Sequence, residues 1–446
     1  MSPLMISVSG VRGIVGADFN PFEVARWTAA LADLLGPGPV VLGRDSRTTG
    51  AALAHAAASV LRACGRETWD LGVVPTPTVQ LAVEHWGAAG GLILTASHNP
   101  AQWNALKFVD GDGGFFSPER FPALRSRAEA GAAPFAEAAH YGGMRDRGNE
   151  ALRLHREAIL RAVDLDAIRS AGIRAAVDTG HGAGGVILPA LAEELGVALV
   201  CHHEEPSGEF AANPEPTEES LDRFLKIVEG EPAFVAMIDP DADRFAVALP
   251  GTAVVGEEWT LPLVVRSVLA GRTGPVVTNL STSSRVEAAA ARFGAVVTRT
   301  PVGEAHVVAG MRRVGATIGG EGNGGVIDPA VHLGRDAAVA FARLCEAEAL
   351  HPGGLRALAA EFPSRVMRKA KVSLPVGGMA ALEPLLAGLL GEVDDRRDGL
   401  RWSRSDGFVH IRASGTEPVV RAMVEAETSA AASEMMERLR GVLEGR

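Results

Sequence analysis

The fold is decided by one stretch of sequence, Gly91-Leu92-Ile93-Leu94-Thr95-Ala96-Ser97-His98-Asn99-Pro100. Its apolar first half predicts a buried strand, which ends where small and polar residues begin at Thr95. Pro100 disfavours helix at the residue before it and lacks a backbone donor, so residues 97–100 should form a tight loop. A serine on such a loop is held rigidly yet can reach solvent, which is where an α/β protein places a nucleophile. Taken alone, these four residues are explained better by an ordinary turn, because all of them are common in turns.

Short apolar strands alternate with helical segments on both sides of this loop. The β-α-β-α-β pattern before it returns over 174–238 and again over 276–319, which predicts mostly parallel sheets covered by helices. The segment from 371 onward differs and predicts two strands between two helices. Ligands bind at the carboxyl ends of parallel strands, and an unusual loop follows the last strand of each unit. The predicted fold class is therefore α/β, with three successive mixed or parallel α/β units around a central cleft and a small α+β C-terminal domain.

Composition excludes several classes of function. With 446 residues the chain should form about three domains, with four possible. Its formal net charge of -11 argues against a general attraction to nucleic acid. The three cysteines are far apart and lack metal-type spacing, which favours a reducing cytosol over a disulfide framework. Without a signal-peptide pattern or a membrane-spanning apolar run, we expect a cytoplasmic protein with no nucleic-acid or membrane partner.

A second polar loop follows the strand predicted at 233–238. Asp239, Asp241 and Asp243 alternate there, so in extended or looped backbone their side chains would point the same way. Three converging carboxylates repel one another unless a cation lies between them, and hard oxygen ligands suit Mg²⁺. Arg244 would add a cation beside a metal-bound oxyanion. A solvated acidic turn is the alternative, which the apolar strand before the loop disfavours.

Two basic residues in the first part of the chain suit phosphate. Glycines surround Arg12 over 7–16 and would let the backbone approach an oxyanion, although a hairpin with a surface arginine would look the same. Lys107 follows Ser97 closely and has apolar neighbours. It is a candidate acid, base or phosphate contact, or else a surface lysine with a buried stem.

The segment 412–418 predicts an oxyanion cradle. It concentrates hydroxyl, glycine and arginine groups after a strand, namely Arg412, Ser414, Gly415 and Thr416, and Arg421 can point back into it. A turn between strands is the alternative. A serine nucleophile with Mg²⁺ predicts phosphoryl transfer. A second, distant phosphate site makes sense if the substrate already carries a phosphate that must be held while another position reacts.

Five segments in this order resemble the α-D-phosphohexomutase superfamily over essentially the whole chain. They are 9–13, 95–100, 239–244, 320–325 and 412–418. The resemblance implies four domains around a central cleft and a phosphorylated Ser97 in the active form. It implies one Mg²⁺, held by the Ser97 phosphate with Asp239, Asp241 and Asp243. It also implies a hexose bisphosphate as intermediate and activator, with Arg12 and Lys107 steadying the transferring group and assisting proton movement.

The resemblance also implies roles for the remaining residues. We expect His98, Asn99 and Arg244 near the phosphoserine, and Glu321 and Asn323 on the sugar hydroxyls. The phosphate that does not react would be held by Arg412, Ser414, Gly415, Thr416 and Arg421. The predicted domains are a phosphoserine-bearing 1–148, a metal-binding 149–250, a sugar-recognition 251–365 and a phosphate-binding 366–446.

The boundary before the last domain predicts motion. Residues 366–369 look like a hinge, and the connector 362–371 carries proline and charges without a long apolar run. This composition predicts few contacts across the boundary, so that the C-terminal domain can rotate as a clamp on the phosphate.

The substrate is predicted less sharply than the chemistry. Residues 213–217, 302–304 and 319–327 look most like archaeal-type phosphoglucosamine mutases, which favours glucosamine phosphates. Better-known superfamily members carry Ser and His where this chain has Asn323 and Gly325, so mannose or glucose phosphates stay an alternative.

Two other classes of function are a non-catalytic sugar-phosphate sensor and a phosphatase with an aspartate nucleophile at Asp239. Ser97, the three aspartates and Lys107 together disfavour the sensor. The oligomeric state is left as monomer or homodimer.

Overall fold

The computed structural model describes residues 4–131, 133–210, 214–373, 378–414 and 419–444. These residues form four β-sheets in succession along the chain. The α/β fold class is confirmed, because three α/β units with mixed sheets are followed by a smaller α+β unit. Across the part of the chain that the structure describes, no helix is long and apolar enough to cross a membrane.

The first unit contains strands β1 (Met5–Ser7), β2 (Gly10–Ile14), β3 (Val40–Arg44), β4 (Thr68–Val73), β5 (Gly90–Leu94), β6 (Trp103–Asp110) and β7 (Met144–Asp146), with helices α1 (Pro21–Leu34), α2 (Gly50–Ala63), α3 (Thr76–Trp86) and α4 (Phe121–Ala130). The sheet order is β1-β2-β6-β5-β3-β4-β7. β3, β4 and β5 run parallel, as predicted. β1 and β2 form the hairpin that was the alternative for 7–16, and the antiparallel strand β6 was not predicted at all. β6 pairs with both β5 and β2, which brings Lys107 and Arg12 beside the strand that leads to Ser97.

The second unit contains α5 (Gly148–Ala162), α6 (Leu165–Ser170), β8 (Arg174–Asp178), α7 (Leu188–Leu195), β9 (Ala198–His202), α8 (Glu218–Leu225), β10 (Phe234–Ile238), β11 (Phe245–Ala248) and β12 (Val255–Gly256). The third contains α9 (Thr260–Gly271), β13 (Val276–Asn279), α10 (Arg285–Ala291), β14 (Val297–Thr300), α11 (Glu304–Val314), β15 (Ile318–Glu321), β16 (Gly325–Ile327), α12 (Ala337–Leu350) and α13 (Gly354–Ala360). The sheet orders are β12-β11-β10-β8-β9 and β14-β13-β15-β16. Glu321 is the last residue of β15, whereas the sequence pattern had ended that strand at 319.

One apolar core serves the second and third units. Phe341 on α12 packs against Phe234 and Phe245 of the second sheet, with ring centroids 5.9 and 6.4 Å apart. The first and fourth units have cores of their own. The boundary predicted at 250/251 therefore separates two sheets but divides a single core, and the exact domain limits stay a prediction.

The fourth unit contains β17 (Val366–Ser373), α14 (Gly378–Leu390), β18 (Leu400–Arg404), β19 (Gly407–Ala413), β20 (Val419–Ala426) and α15 (Ser429–Leu443), with the antiparallel order β17-β20-β19-β18. The hinge predicted at 366–369 is wrong. These residues begin β17, which pairs with β20 along its whole length. The strand resembles a linker in sequence because one of its faces is turned to solvent and carries charges, a pattern typical of antiparallel sheets.

The prediction of few contacts between the third and fourth units is also wrong. The Glu425 carboxylate on β20 accepts hydrogen bonds from the hydroxyl of Ser283 and, at 3.1 Å, from the backbone N–H of Ser284. Lys369 Nζ lies 2.8 and 2.9 Å from carboxylate oxygens of Glu257 and Glu258. Rotation of the fourth unit would have to break or rearrange these bonds, and the predicted clamp motion stays a prediction.

Candidate active site

Ser97 lies in the turn that follows β5, at the carboxyl end of the parallel strands. Its φ of 49° is in the left-handed region, which residues other than glycine rarely adopt. Strain of this kind persists only where the surroundings hold it, and it clusters at functional sites. The Ser97 hydroxyl is buried and donates a 2.7 Å hydrogen bond to Oδ2 of Asp239. The first and second units therefore meet at this serine. It is only 4% exposed, so the prediction that it can reach solvent is wrong, because the second unit covers it.

The Ser97 loop is held by Arg47, a residue that the sequence analysis did not single out. Its guanidinium donates to four carbonyl oxygens at 2.5–2.8 Å, those of Ser97, Asn99, Pro100 and Trp103. Its Nε donates to Asp45 at 3.0 Å, and both side chains are fully buried. The loop owes its shape to this one cation. The available signal was the charged segment 44–47 at the end of β3, on the same sheet edge as Ser97.

The three aspartates lie in the loop after β10, as predicted, and all are fully buried. Oδ1 of Asp239 accepts the backbone N–H groups of Asp243 and Arg244 at 3.2 and 3.1 Å, so the loop folds back onto its first residue. Ala242, with φ 54°, makes the turn. Burial and the charges of Asp243 and Asp241 raise the pKa of Asp239 well above its usual value. Asp239 therefore keeps a proton to higher pH than an exposed aspartate does.

In each of the other two aspartates, one carboxylate oxygen accepts hydrogen bonds and the second accepts none from the described residues. Oδ2 of Asp241 accepts from Lys107 Nζ at 2.6 Å and from Thr76 Oγ1 at 2.8 Å. Oδ2 of Asp243 accepts from Arg335 Nη2 at 2.6 Å. Within the described residues, both Oδ1 atoms are buried without a hydrogen-bond partner. All three aspartates offer an oxygen within 4.8 Å of the others, an arrangement that fits a hard cation such as Mg²⁺.

Lys107 reaches the aspartates from β6. Its Nζ is buried and lies 2.6 Å from Oδ2 of Asp241 and 3.8 Å from Oδ2 of Asp243, so the surface-lysine alternative is wrong. Burial alone would lower the pKa of Lys107, but the charges of Asp241 and Asp243 outweigh it and raise the pKa. Lys107 therefore carries its proton at neutral pH. In this state it can donate a proton or supply positive charge, and it cannot accept a proton.

Further cations surround the Ser97 loop. Arg12 Nη1 donates to Oδ1 of Asn99 at 2.6 Å. Arg244 Nε is buried without a hydrogen-bond partner and lies 3.9 Å from Oδ2 of Asp239. Burial and the charges of Arg244 and Arg12 hold the pKa of His98 well below its usual value, so His98 is neutral at pH 7. An anion placed among these groups would meet two permanent positive charges.

Glu321 and Asn323 lie at the β15–β16 hairpin. Glu321 is 2% exposed, and its Oε1 accepts from Asn279 Nδ2 at 2.7 Å and from Gly303 N at 2.9 Å. Its Oε2 accepts from Arg335 Nη1 at 2.7 Å. A sugar hydroxyl can bind this carboxylate only by sharing or displacing one of these donors. Oδ1 of the half-buried Asn323 accepts a hydrogen bond from the backbone N–H of Gly325 at 3.1 Å.

Arg335 was not predicted from the sequence, although it contacts both the aspartate loop and the β15–β16 hairpin. It is one of 43 lysines and arginines and stands in the irregular segment before α12, with no motif to mark it. Its importance follows only from the fold, which places it beside residues of two different units.

The predicted phosphate cradle lies on β19 and β20. Arg412 and Arg421 stand directly opposite each other in the ladder, where like charges repel. Arg412 Nε donates to both carboxylate oxygens of Asp398, at 3.2 and 3.0 Å. Ser414 N–H donates to the carbonyl oxygen of Val419 at 2.8 Å, which closes the ends of the two strands.

Two members of the cradle, Gly415 and Thr416, lie outside the described residues. The charge of Arg421 contributes to the lowered pKa of His98, beside Ser97. Arg421 is therefore close enough to act electrostatically on His98, although the two residues come from opposite ends of the chain.

Comparison with known proteins accounts for almost the whole chain. The α/β/α domains I, II and III of the phosphoglucomutase/phosphomannomutase family match residues 5–134, 154–251 and 258–366, and that family's C-terminal domain matches 363–442. The chain belongs to the phosphoglucomutase/phosphomannomutase family. The predicted membership of the α-D-phosphohexomutase superfamily is thereby confirmed, and the protein is a phosphohexomutase, an isomerase.

Similar proteins are named for different sugars. A protein of Thermococcus kodakarensis named phosphoglucomutase/phosphomannomutase is 35% identical over 442 residues and 96% of each chain. A probable phosphoglucosamine mutase of Methanopyrus kandleri is 34% identical over 434 residues, 96% of this chain and 95% of its own. The likeness to archaeal-type phosphoglucosamine mutases is confirmed.

Solved structures agree on the fold of this phosphohexomutase. The putative phosphomannomutase of Thermus thermophilus matches with a TM-score of 0.83, 29% identity and 100% coverage of both chains. A phosphoglucomutase/phosphomannomutase family protein of Burkholderia thailandensis matches with a TM-score of 0.84 and 25% identity, covering 99% of this chain and 98% of its own. Phosphohexomutase chemistry is common to all these names, whereas the sugar differs among them.

Proposed function

We propose that this phosphohexomutase interconverts glucosamine 6-phosphate and glucosamine 1-phosphate through a phosphorylated Ser97 and a bisphosphate intermediate. The observation that carries the mechanism is the Ser97 hydroxyl, held on a strained loop 2.7 Å from Asp239 beside two further aspartates. The choice of sugar is supported by the relatives named probable phosphoglucosamine mutase, which are 34% and 32% identical in Methanopyrus kandleri and Pyrococcus abyssi.

The reaction consists of two phosphoryl transfers. In the first, the bond between phosphorus and Ser97 Oγ breaks while a bond forms to the free hydroxyl oxygen of the sugar monophosphate, whose proton leaves to a nearby base. The product is a hexose bisphosphate. It turns around in the cleft and returns its other phosphoryl group to Ser97, so that the enzyme ends in its starting form. A free hexose bisphosphate should activate unphosphorylated protein by the second of these steps.

The residues around Ser97 would stabilise the transfers electrostatically. Asp239, Asp241 and Asp243, with the Ser97 phosphate, would hold one Mg²⁺, whose charge stabilises a transferring phosphoryl group. Arg12, Arg244 and the neutral His98 would contact the phosphate oxygens, with Asn99 orienting Arg12. Lys107, which carries its proton, would donate that proton or positive charge to the leaving oxygen.

The distant end of the substrate would be held by the third and fourth units. Glu321 and Asn323 would bind sugar hydroxyls. The phosphate that does not react would be bound by Arg412, Ser414, Gly415, Thr416 and Arg421. We propose that the intermediate turns around by exchanging its phosphates between the Ser97 site and the cradle, with the bonds across the boundary rearranging as the fourth unit opens.

The test is turnover on glucosamine, mannose and glucose 6-phosphates measured side by side. A value of kcat/KM highest for glucosamine 6-phosphate supports the proposal. Preference for mannose or glucose phosphate supports the second candidate, a phosphoglucomutase/phosphomannomutase, for which the Thermococcus kodakarensis relative is the reason. Ser97→Ala should lose turnover on all three sugars, while Ser59→Ala, an exposed serine on α2, should keep it. Sugar binding without turnover by the unaltered protein would favour the sensor.

Location and assembly are also proposals. We propose a cytoplasmic enzyme that acts as a monomer or homodimer on a small phosphosugar. Static light scattering on the purified protein would decide between the two assemblies, and a larger particle would contradict both.

A further inference from the structure

We propose that Arg335 is a positioning residue that ties the metal ligand Asp243 to the sugar loop, and that glycine is needed at 325 because Arg335 fills the space of a side chain there. The inference rests on the proposed function for the role of Asp243. It adds a device that sets the metal carboxylate and the sugar carboxylate relative to each other.

The first observation is that each nitrogen of the Arg335 guanidinium has its own carboxylate. Nη2 donates to Asp243 at 2.6 Å, Nη1 to Glu321 at 2.7 Å and Nε to Glu304 at 3.0 Å. All four side chains are buried. Glu304 is further fixed by Gln80 Nε2 at 2.9 Å, so the network reaches the first unit. A planar guanidinium with donors in fixed directions can hold three acceptors at set angles, which a lysine ammonium on a flexible stem does less well.

The second observation is that the backbone of Arg335 is also fixed. The next residue, Asp336, caps α12 by accepting from the N–H groups of Ala338 and Val339. Its own N–H donates to the carbonyl oxygen of Val326 at 2.9 Å. The stem of Arg335 therefore begins at a defined point beside β16 and cannot move away without disturbing the start of α12.

The third observation comes from Gly325. A Cβ atom on this residue would lie 2.3 Å from Cδ and 2.9 Å from Cγ of Arg335, far inside van der Waals contact. The backbone of Gly325 is not in the left-handed region, so glycine is not required there by its dihedral angles. It is required by space. With the Arg335 head bound to three carboxylates and its base fixed at α12, a side chain at 325 and Arg335 exclude each other.

These contacts place Arg335 between two functions. It occupies Oδ2 of Asp243 and leaves Oδ1 buried without a hydrogen-bond partner, 3.6 Å from Arg244 Nε. The same guanidinium occupies Oε2 of Glu321, the carboxylate proposed to bind the sugar. A change in Arg335 should therefore alter metal binding and sugar binding together. If these ion pairs only stabilised the fold, a change in Arg335 would alter neither Mg²⁺ binding nor sugar binding.

The experiment is Mg²⁺ titration by calorimetry on the full chain, with Arg335→Lys as the variant that keeps the charge. Mg²⁺ affinity should fall about 10- to 100-fold, the range for residues that orient metal ligands. KM for the preferred sugar phosphate should rise as well. Gly325→Ala should weaken Mg²⁺ binding in the wild-type background and have a much smaller effect when Arg335 is already lysine, because both changes displace the same guanidinium.

The matched control is Arg343→Lys. Arg343 is also buried and also joins two carboxylates, with Nε 2.8 Å from Asp328 and Nη1 2.7 Å from Glu346, but it does not contact the aspartate loop. This variant should keep wild-type Mg²⁺ affinity. Unchanged Mg²⁺ affinity in Arg335→Lys, or an equal loss in both lysine variants, overturns the inference. Because the titration needs no turnover, it stands even if no sugar phosphate proves to be a substrate.

Discussion

Replacing His410 with glutamine should make the protein less sensitive to acid. His410 on β19 is buried against the third unit, with Nε2 2.7 Å from the carbonyl oxygen of Asp398 and Nδ1 3.0 Å from the hydroxyl of Ser281. The neutral ring satisfies both contacts, since Nε2–H donates to the carbonyl and Nδ1 accepts from the serine. Glutamine is neutral at every pH and keeps a donor at the end of its side chain.

Burial lowers the pKa of His410 to about 4, from 6.5. The carbonyl and carboxylate of Asp398 favour the charged ring, and the charges of Arg412 and Arg401 oppose it. The unfolded chain therefore binds a proton below about pH 6.5 that the folded chain binds only below about pH 4. Stability must fall as the pH drops through this window and level off beneath it. For these two pKa values the loss is about 2 kcal/mol at pH 5 and about 3 kcal/mol at the acid limit.

The assay is scanning calorimetry at pH 7, 6 and 5 on wild type and His410→Gln. Comparing the change of Tm with pH cancels the titration of other groups and the direct cost of the substitution. If the fourth unit unfolds within a transition of about 150–250 residues, the Tm of that transition should fall by about 4–8 °C more in wild type between pH 7 and 5. His55→Gln, an exposed histidine on α2, should retain the wild-type profile. Parallel profiles for wild type and His410→Gln would refute the reasoning.

Three further changes probe other parts of the protein. In Arg47→Lys, a single amine replaces the guanidinium that donates to four carbonyl oxygens of the Ser97 loop. The mutase rate should therefore fall about a hundredfold, while calorimetry should still detect Mg²⁺ binding. An unchanged rate would contradict the role of Arg47. Mg²⁺ added to chelator-treated protein should raise the unfolding free energy by about 2.7 kcal/mol at a hundred times its Kd, and Asp239→Asn should remove this gain in a thermal-shift assay. Glu425→Gln weakens the hydrogen bonds from Ser283 and Ser284 across the boundary, so the free energy of unfolding should fall by about 1–3 kcal/mol. Urea unfolding followed by tryptophan fluorescence measures this change. An unchanged free energy of unfolding would show that the contact does not stabilise the fold.

The sequence predicted those parts of the site whose signal is local. The Ser97 loop and the aspartate loop each follow an apolar strand and change composition within a few residues, so the position of both loops could be inferred. Their burial could not, because it comes from the packing of the first unit against the second. The same locality misled the assignment of β17. A strand with one solvent-facing, charged side has the composition of a linker, and only its pairing with β20 distinguishes the two.

The parts of the site that could not be predicted from the sequence depend on partners that lie far away in the chain. Arg47 acts on Ser97 across 50 residues and Arg335 on Asp243 across 92, and neither separation has a sequence signature. The burial of Lys107 could not be predicted from the sequence either, because it follows from the pairing of β6 with β5 and β2. Local pattern thus placed the reacting groups, and the tertiary fold supplied the residues that orient them.

The central claim is that Ser97 carries the transferred phosphoryl group. The most direct measurement is intact-mass spectrometry of the full chain after incubation with Mg²⁺ and a hexose 1,6-bisphosphate, followed by peptide mapping. We predict one added phosphate on Ser97, its loss when excess hexose 6-phosphate is added, and no phosphate on the Ser97→Ala variant. Phosphate found on Asp239, or an enzyme that turns over without any phosphate on Ser97, would contradict the account.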